Sequence, residues 1–135
     1  MIYNINDKDY ANSKTYQDFL RSNPALGYLR IRAYAASQAV PISGLEIVVT
    51  TKINNDDVIF FDGYTNDSGI IDNISLPAPR IKTNNLEAPK YLTYYVTAIY
   101  GNIKQIYKIN IYENISVVQN INITPELQVG GFNGS

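Results

Sequence analysis

"FFDGYTNDSGIIDNISLPAP", residues 60–79, places an apolar run, a polar reversal and a second apolar run in twenty residues and then closes on two prolines. Short alternating segments on either side of Asn66-Asp67-Ser68-Gly69 are the pattern of two paired strands. Asp67 and Ser68 can bond nearby backbone N–H groups, and Gly69 tolerates a positive φ. The next strand inserts Ile70 or Ile71, and Ile74, into a core. Pro77 and Pro79 then impose an extended exit and withhold ladder donors, as at the boundary of a sheet. The stretch predicts the central hairpin of an all-β domain.

The same rhythm extends in both directions. "YLRIRAYAA" (28–36) sets Leu29, Ile31, Ala33 and Ala35 on one face and Arg30, Arg32 and Tyr34 on the other. "LEIVVTTKI" (45–53) alternates Leu45, Ile47, Val49, Thr51 and Ile53 against Glu46, Val48, Thr50 and Lys52, with a polar reversal at "NNDD". "YLTYYVTAIYG" runs into "IKQIYKINIYE" across Gly101-Asn102, a tight-hairpin signal, and "ENISVVQNINI" follows before Thr124-Pro125. Seven short strands with little helix predict a β-sandwich of immunoglobulin-like proportions over residues 27–125.

Residues 1–26 read differently. Met1, Tyr3 and Ile5 alternate with Ile2, Asn4 and Asn6, which predicts an extended arm. In "SKTYQDFLRSNP", Thr15 and Asp18 form a capping pair, Tyr16, Phe19 and Leu20 share one helical face, and Pro24 stops the helix. Residues 126–135 read as a loop-like tail. The segment from Pro77 to Lys90 carries three prolines and no apolar period; loops of that length in a compact domain are usually functional or disordered, and a solvated crossover between sheets is the plainer reading.

Composition narrows the chemistry. At 135 residues the chain is the size of one domain, with a net charge of −1 and scattered Lys and Arg. That balance predicts neither nucleic acid nor membrane as a partner, because both reward concentrated positive charge. Without cysteine there is no disulfide or thiolate site, and without histidine the commonest general base and metal ligand are both missing. Asp62, Asp67 and Asp72 recur at five-residue intervals, which does not supply the alternating oxygens of a calcium loop. No cofactor or metal is expected, and no acid pair sits in a context that predicts a catalytic cleft, so the reading at this point is of a protein that is not an enzyme. The N-terminus has neither the basic region nor the apolar stretch of a signal peptide. Ile is the commonest residue and Asn outnumbers Lys and Arg together, a bias toward AT-rich codons and a low-GC bacterium or its phage. In so Asn-rich a chain, the sequons at Asn66, Asn73, Asn114 and Asn122 are expected by chance.

From Gly27 to Pro125 the order of features resembles the prealbumin-like β-sandwiches that include carboxypeptidase regulatory-like and Cna B-type domains. The T-x-D-x-G…LPAP stretch (Thr65 to Pro79) and the endings Y-x-V-x-A (Tyr94 to Ala98) and V-x-Q-x-I-x-I-x-P (Val117 to Pro125) are most similar to the N-terminal module of clostridial spore cortex-lytic enzymes. The resemblance implies the fold and a spore-envelope or cell-surface setting, with no catalytic domain to carry over. Some Cna B-type domains form a Lys–Asn isopeptide bond. Here Arg30 and Arg32 stand where the first-strand lysine belongs, and a guanidinium is a poor nucleophile, which leaves Asn120 or Asn122 as acceptors without a donor.

Two surfaces are then candidates for function. Burying Met1, Tyr3 and Ile5 returns about 1.5–3 kcal/mol each, and ordering the arm costs about 1–2 kcal/mol per residue. Pairing with a sheet edge, a neighbour's or the chain's own, tips that balance. Met1, Ile2, Tyr3, Ile5, Tyr16, Phe19 and Leu20 are therefore expected at a subunit interface of a self-associating structural protein, with copies of itself as main partner. The second surface is Tyr91, Tyr94 and Tyr95 on the Tyr-rich hairpin with Arg80 and Lys82 on the long loop. It would suit a cell-wall or glycan-binding module, since amphipathic rings stack on sugars. A phage-tail or injection-system accessory protein is a third alternative.

Overall fold

The computed structural model describes residues 1–35, 39–81 and 90–123. The expectations placed on Lys82, on most of the 77–90 loop and on the 126–135 tail fall outside these residues. The described chain contains β1 (Ile2–Asn4), α1 (Lys8–Ala11), α2 (Lys14–Ser22), β2 (Ala25–Ala35), β3 (Val40–Pro41), β4 (Glu46–Ile53), β5 (Asp56–Tyr64), β6 (Ile70–Ala78), β7 (Leu92–Tyr100), β8 (Ile103–Ile111) and β9 (Ser116–Ile123). One sheet has the order β1-β5-β4-β7-β8; the other is built on β2, with β6 and β3 antiparallel to it and β9 parallel. The seven strands expected from alternation are β2 and β4 to β9. The short pieces β1 and β3 are additional.

Alternation delivers the core as expected. Leu29, Ile31 and Ala33 of β2 are buried, as are Leu45 and the β4 residues Ile47, Val49, Thr51 and Ile53. They meet Val58 and Phe60, Ile74 and Leu76, Val96 and Ala98, and Ile121 and Ile123 between the sheets. Asn54 and Asn55, both at positive φ, make the tight turn between β4 and β5. Gly101, at φ +58°, turns β7 into β8.

The expected central hairpin does not form: β5 pairs with β4 and β1 in one sheet and β6 with β2 in the other, so the reversal at 66–69 carries the chain across from sheet to sheet, and a different side chain holds it. The Asn66 Oδ1 accepts from the N–H groups of Ser68 (2.9 Å) and Ile70 (3.0 Å), and the Asn66 backbone exchanges bonds with Gly69 and Ile70. This is an Asx turn, and Asn has the acceptor at the right reach for it. Asp67 instead accepts from the Ser43 hydroxyl, 3.2 Å away. Gly69 sits at φ +76°, and a Cβ there would stand 2.5 Å from the Ala33 carbonyl oxygen. Buried Thr65 ties the reversal to the 42–45 segment: its hydroxyl donates to the Ile42 carbonyl (2.6 Å) and accepts from the Leu45 N–H (3.0 Å). Pro77 lies in β6 opposite Leu26, on a strand paired along one side only among the described residues, where a missing donor costs least.

The N-terminal arm folds onto its own domain. β1 runs parallel to β5, Ile2 against Asp57 through Asn4 against Ile59, and the Ile5 N–H reaches the Ile59 carbonyl at 3.1 Å. Ser13, rather than Thr15, caps α2 by accepting from the Tyr16 N–H, because the chain is still extended at Ser13. Tyr16, Phe19 and Leu20 do share one face, and that face closes the end of the sandwich. Ring contacts run without a break from Tyr3 to Tyr10, Tyr16, Phe19, Phe60 and Tyr94, with centroids 4.6 to 6.2 Å apart.

Candidate functional site

The residues expected at a subunit interface are divided by this cap. Tyr16 is buried, and Tyr3, Ile5, Phe19 and Leu20 are half-buried against the chain's own core. Met1 and Ile2 alone remain well exposed. The apolar face of the arm is satisfied within the chain because β5 is itself an open edge, and local closure needs no second molecule. This corrects the expectation for Tyr16 in particular, which no neighbour can reach.

The expected ligand surface is brought together in part. Tyr91 is exposed and packs against Tyr112, ring centroids 5.4 Å apart. Arg80 approaches Glu113 (3.7 Å), whose other oxygen accepts from the Ile81 N–H at 2.7 Å. Tyr95 is half-buried on the outer face of the five-stranded sheet, opposite Lys108. Tyr94 is a correction: it is fully buried, its hydroxyl donates to the Pro77 carbonyl, and desolvation pushes its pKa far above that of a free phenol. In "YLTYYVT" both tyrosines suit a strand, and only the register decides which one faces inward.

Asp62, Asp67 and Asp72 point to separate partners. Asp67 meets Ser43, Asp72 pairs with Arg30 at 3.2 Å, and Asp62 is a neighbour of Glu46. The hydrogen bond with Asp62, then desolvation and the Asp62 charge, push the Glu46 carboxyl above its ordinary pKa. Among the described residues no group of three or more acids is placed to hold a metal ion, and no helix is long and apolar enough to cross a membrane.

The edges of the sandwich differ in chemistry. β8 ends the five-stranded sheet and presents Lys104 and Lys108, the side chains that discourage edge pairing. β9 ends the other sheet and runs Ser-Val-Val-Gln-Asn-Ile-Asn-Ile with no charge, no proline and an unbroken register against β2. Among the described residues no second strand pairs with it, though the Gln105 amide of β8 reaches the Asn122 carbonyl at 3.5 Å, and Val118 is half exposed.

Sequence reasoning missed a further feature at the cap. Tyr3, Asp7, Asp9, Tyr10, Ile53 and Asp56 line a cleft of about 310 Å³ between α1 and the β4–β5 turn. Tyr10 is 8% exposed and its buried hydroxyl has no hydrogen-bond partner. Burial first, and then the Asp56 charge, raise its pKa. The Asp-x-Asp-Tyr run at 7–10 is the only local signal. The approach of Asp56, far along the chain, is not legible in it.

No family model matches the sequence, and no curated protein matches it. Among solved structures, 5-hydroxyisourate hydrolase of Klebsiella pneumoniae superimposes with a TM-score of 0.50 at 14% identity, over 73% of this chain and 90% of that one. (S)-allantoin synthase superimposes with a TM-score of 0.54 at 12% identity, over 77% of this chain and 42% of that one. These likenesses overturn the expectation that the chain is not an enzyme. The structures sharing its fold are a hydrolase and a synthase, so the sandwich does not license that exclusion. What the identities carry is the fold: the chain is an all-β, prealbumin-like sandwich.

Proposed function

We propose that this chain is a self-associating structural protein of a bacterial surface or spore-envelope assembly, with copies joined edge to edge through β9 rather than through the helical cap. The supporting observation is the unguarded β9 edge, eight uncharged residues in regular register that no second strand pairs with among the described residues. Self-pairing of such a strand meets no like-charge repulsion. The same pairing of β8 centred on Ile106 would set Lys104 against Lys108. The setting is favoured by the likeness of the Thr65–Pro79 and Val117–Pro125 stretches to spore cortex-lytic modules.

Antiparallel pairing of two β9 strands closes a two-fold dimer. The bond from Gln105 to the Asn122 carbonyl sets β8 beside β9, and β1 is at the opposite edge of the sheet that β8 ends. Exposed Met1 and Ile2 there supply the second contact that an open-ended assembly requires. The test is light scattering coupled to size exclusion for the parent and for a Val118→Lys/Asn120→Lys double variant. Both positions are exposed, so the fold should survive. Dimers or polymers in the parent that dissociate in the variant support the reading. A monomeric parent, or an assembly unchanged by the two lysines, sinks it.

A second reading, glycan binding at the cell wall, is favoured by the exposed Tyr91 ring set against Tyr112 with Arg80 and Glu113 beside it. Sedimentation with purified wall, lost in Tyr91→Ala, supports it; a protein that stays in the supernatant rules against it.

A further inference from the structure

The acidic cleft at the cap plays no part in strand pairing, and its argument is independent of the assembly. Asp7, Asp9 and Asp56 contribute three carboxylates to one opening. Among the described residues no lysine or arginine side chain bridges any of them, Lys8 between Asp7 and Asp9 included; the Met1 ammonium stands 3.8 Å from Asp56. Lys14 and Lys52 turn instead to Asp18 and Asp57. One Asp7 oxygen accepts from the Asp9 N–H as the α1 cap, at 2.9 Å, which leaves the second oxygen for a ligand.

A second observation points into the same opening. Buried polar groups in folded proteins are almost always partnered, and an exception calls for an explanation. The Tyr10 hydroxyl is such an exception, and after burial the Asp56 charge, on a residue lining the same cleft, does most to raise its pKa. A phenolic oxygen accepts as well as donates, so an N–H group in the cleft would satisfy it. The Tyr3 ring, stacked on Tyr10 at 4.6 Å, adds a π face that favours a cation, and Ile53 adds apolar wall.

We propose that this cleft binds a primary ammonium carried on an aliphatic stem, the chemistry of a lysine side chain or of a free diamine. The carboxylates are not grouped to converge on a bare metal ion, but together they make a negative field that a larger organic cation can span. The volume, about 310 Å³, is at the small end of ligand sites and suits one side chain rather than a cofactor. Asp56 and Asp9 balance the charge, the Tyr10 oxygen accepts one N–H, and the stem lies along Ile53 and Tyr3.

The experiment is an amide-resonance titration of the full chain with three probes: Nα-acetyl-lysine methylamide, 1,5-diaminopentane, and the lysine probe with its amine acetylated. Saturable shifts at residues 7–10 and 54–56 with the first two probes and none with the third are expected. Preference between the first two separates a peptide source from a free amine. Asp56→Asn and Asp9→Asn should each weaken binding about two- to fivefold, the worth of a partly exposed charge pair. Tyr10→Phe should weaken binding while raising Tm without ligand, a combination that a purely structural hydroxyl would not show. No shifts at these residues with a large excess of amine, equal shifts with the acetylated probe, or tighter binding of an arginine analogue would each overturn the assignment.

Discussion

The Tyr94 hydroxyl, carried on β7, donates to the Pro77 carbonyl oxygen of β6 at 2.6 Å, a hydrogen bond that crosses the interior from one sheet to the other. Both groups are buried. Tyr94→Phe leaves the Pro77 carbonyl without its donor at nearly unchanged volume. The expected loss is about 1–3 kcal/mol, the cost of an unsatisfied buried acceptor. Urea unfolding monitored by far-ultraviolet circular dichroism measures it, and an unchanged midpoint would show that the bond contributes nothing.

Thr65 makes a different kind of cross-tie, within one end of the sandwich. Its hydroxyl is donor to Ile42 and acceptor from Leu45 at once. Thr65→Val keeps the shape and removes both bonds, so the loss should be about 2–4 kcal/mol, more than for Tyr94→Phe, because two backbone groups are left unpaired. Thr65→Ser should recover most of it. Equal stability of the valine and serine variants would contradict this account.

Gly69 is required by backbone as well as by space. A side chain there meets the Ala33 carbonyl at 2.5 Å and must also hold φ near +76°. Gly69→Ala should cost at least about 1–3 kcal/mol through strain, while Asn66→Asp, which keeps the turn's acceptor, should be close to neutral. Thermal unfolding of the two variants side by side decides it.

These residues also mark how far sequence reasoning reaches. Strict alternation exposed the inner faces of β2 and β4, since a one-residue slip would turn Leu29, Ile31, Ile47 and Val49 out to water. The reversal at 66–69 was visible, but not that Asn66 rather than Asp67 would hold it, because neighbouring polar residues compete for the same backbone donors. The parallel docking of β1 on β5 joins Ile2 to Asp57, and nothing local in either segment specifies that pairing. The acidic cleft escaped for the same reason. Its halves meet only once α1 has closed on the β4–β5 turn.

The Glu46–Asp62 pair gives a prediction in pH. Glu46 is raised chiefly by its hydrogen bond with Asp62, so the folded state holds that proton more tightly than the unfolded chain. Its contribution to stability is complete below the ordinary glutamate pKa and disappears as pH rises through the higher folded value. The difference between parent and Glu46→Gln isolates the effect. Relative to the variant, the parent's urea midpoint should fall across that window and run parallel above it. A difference that is flat with pH would show that the two carboxyls do not share a proton.

The unbroken ring series of the cap has a spectroscopic consequence. The chain contains no tryptophan, so its near-ultraviolet dichroism comes chiefly from tyrosine. The close-stacked Tyr3, Tyr10 and Tyr16 should couple into a distinct band. That band reports on the closure of residues 1–22 over the sandwich separately from the strands, which the far-ultraviolet signal follows. The molecule thus carries an internal gauge for whether the cap opens before the sheets do.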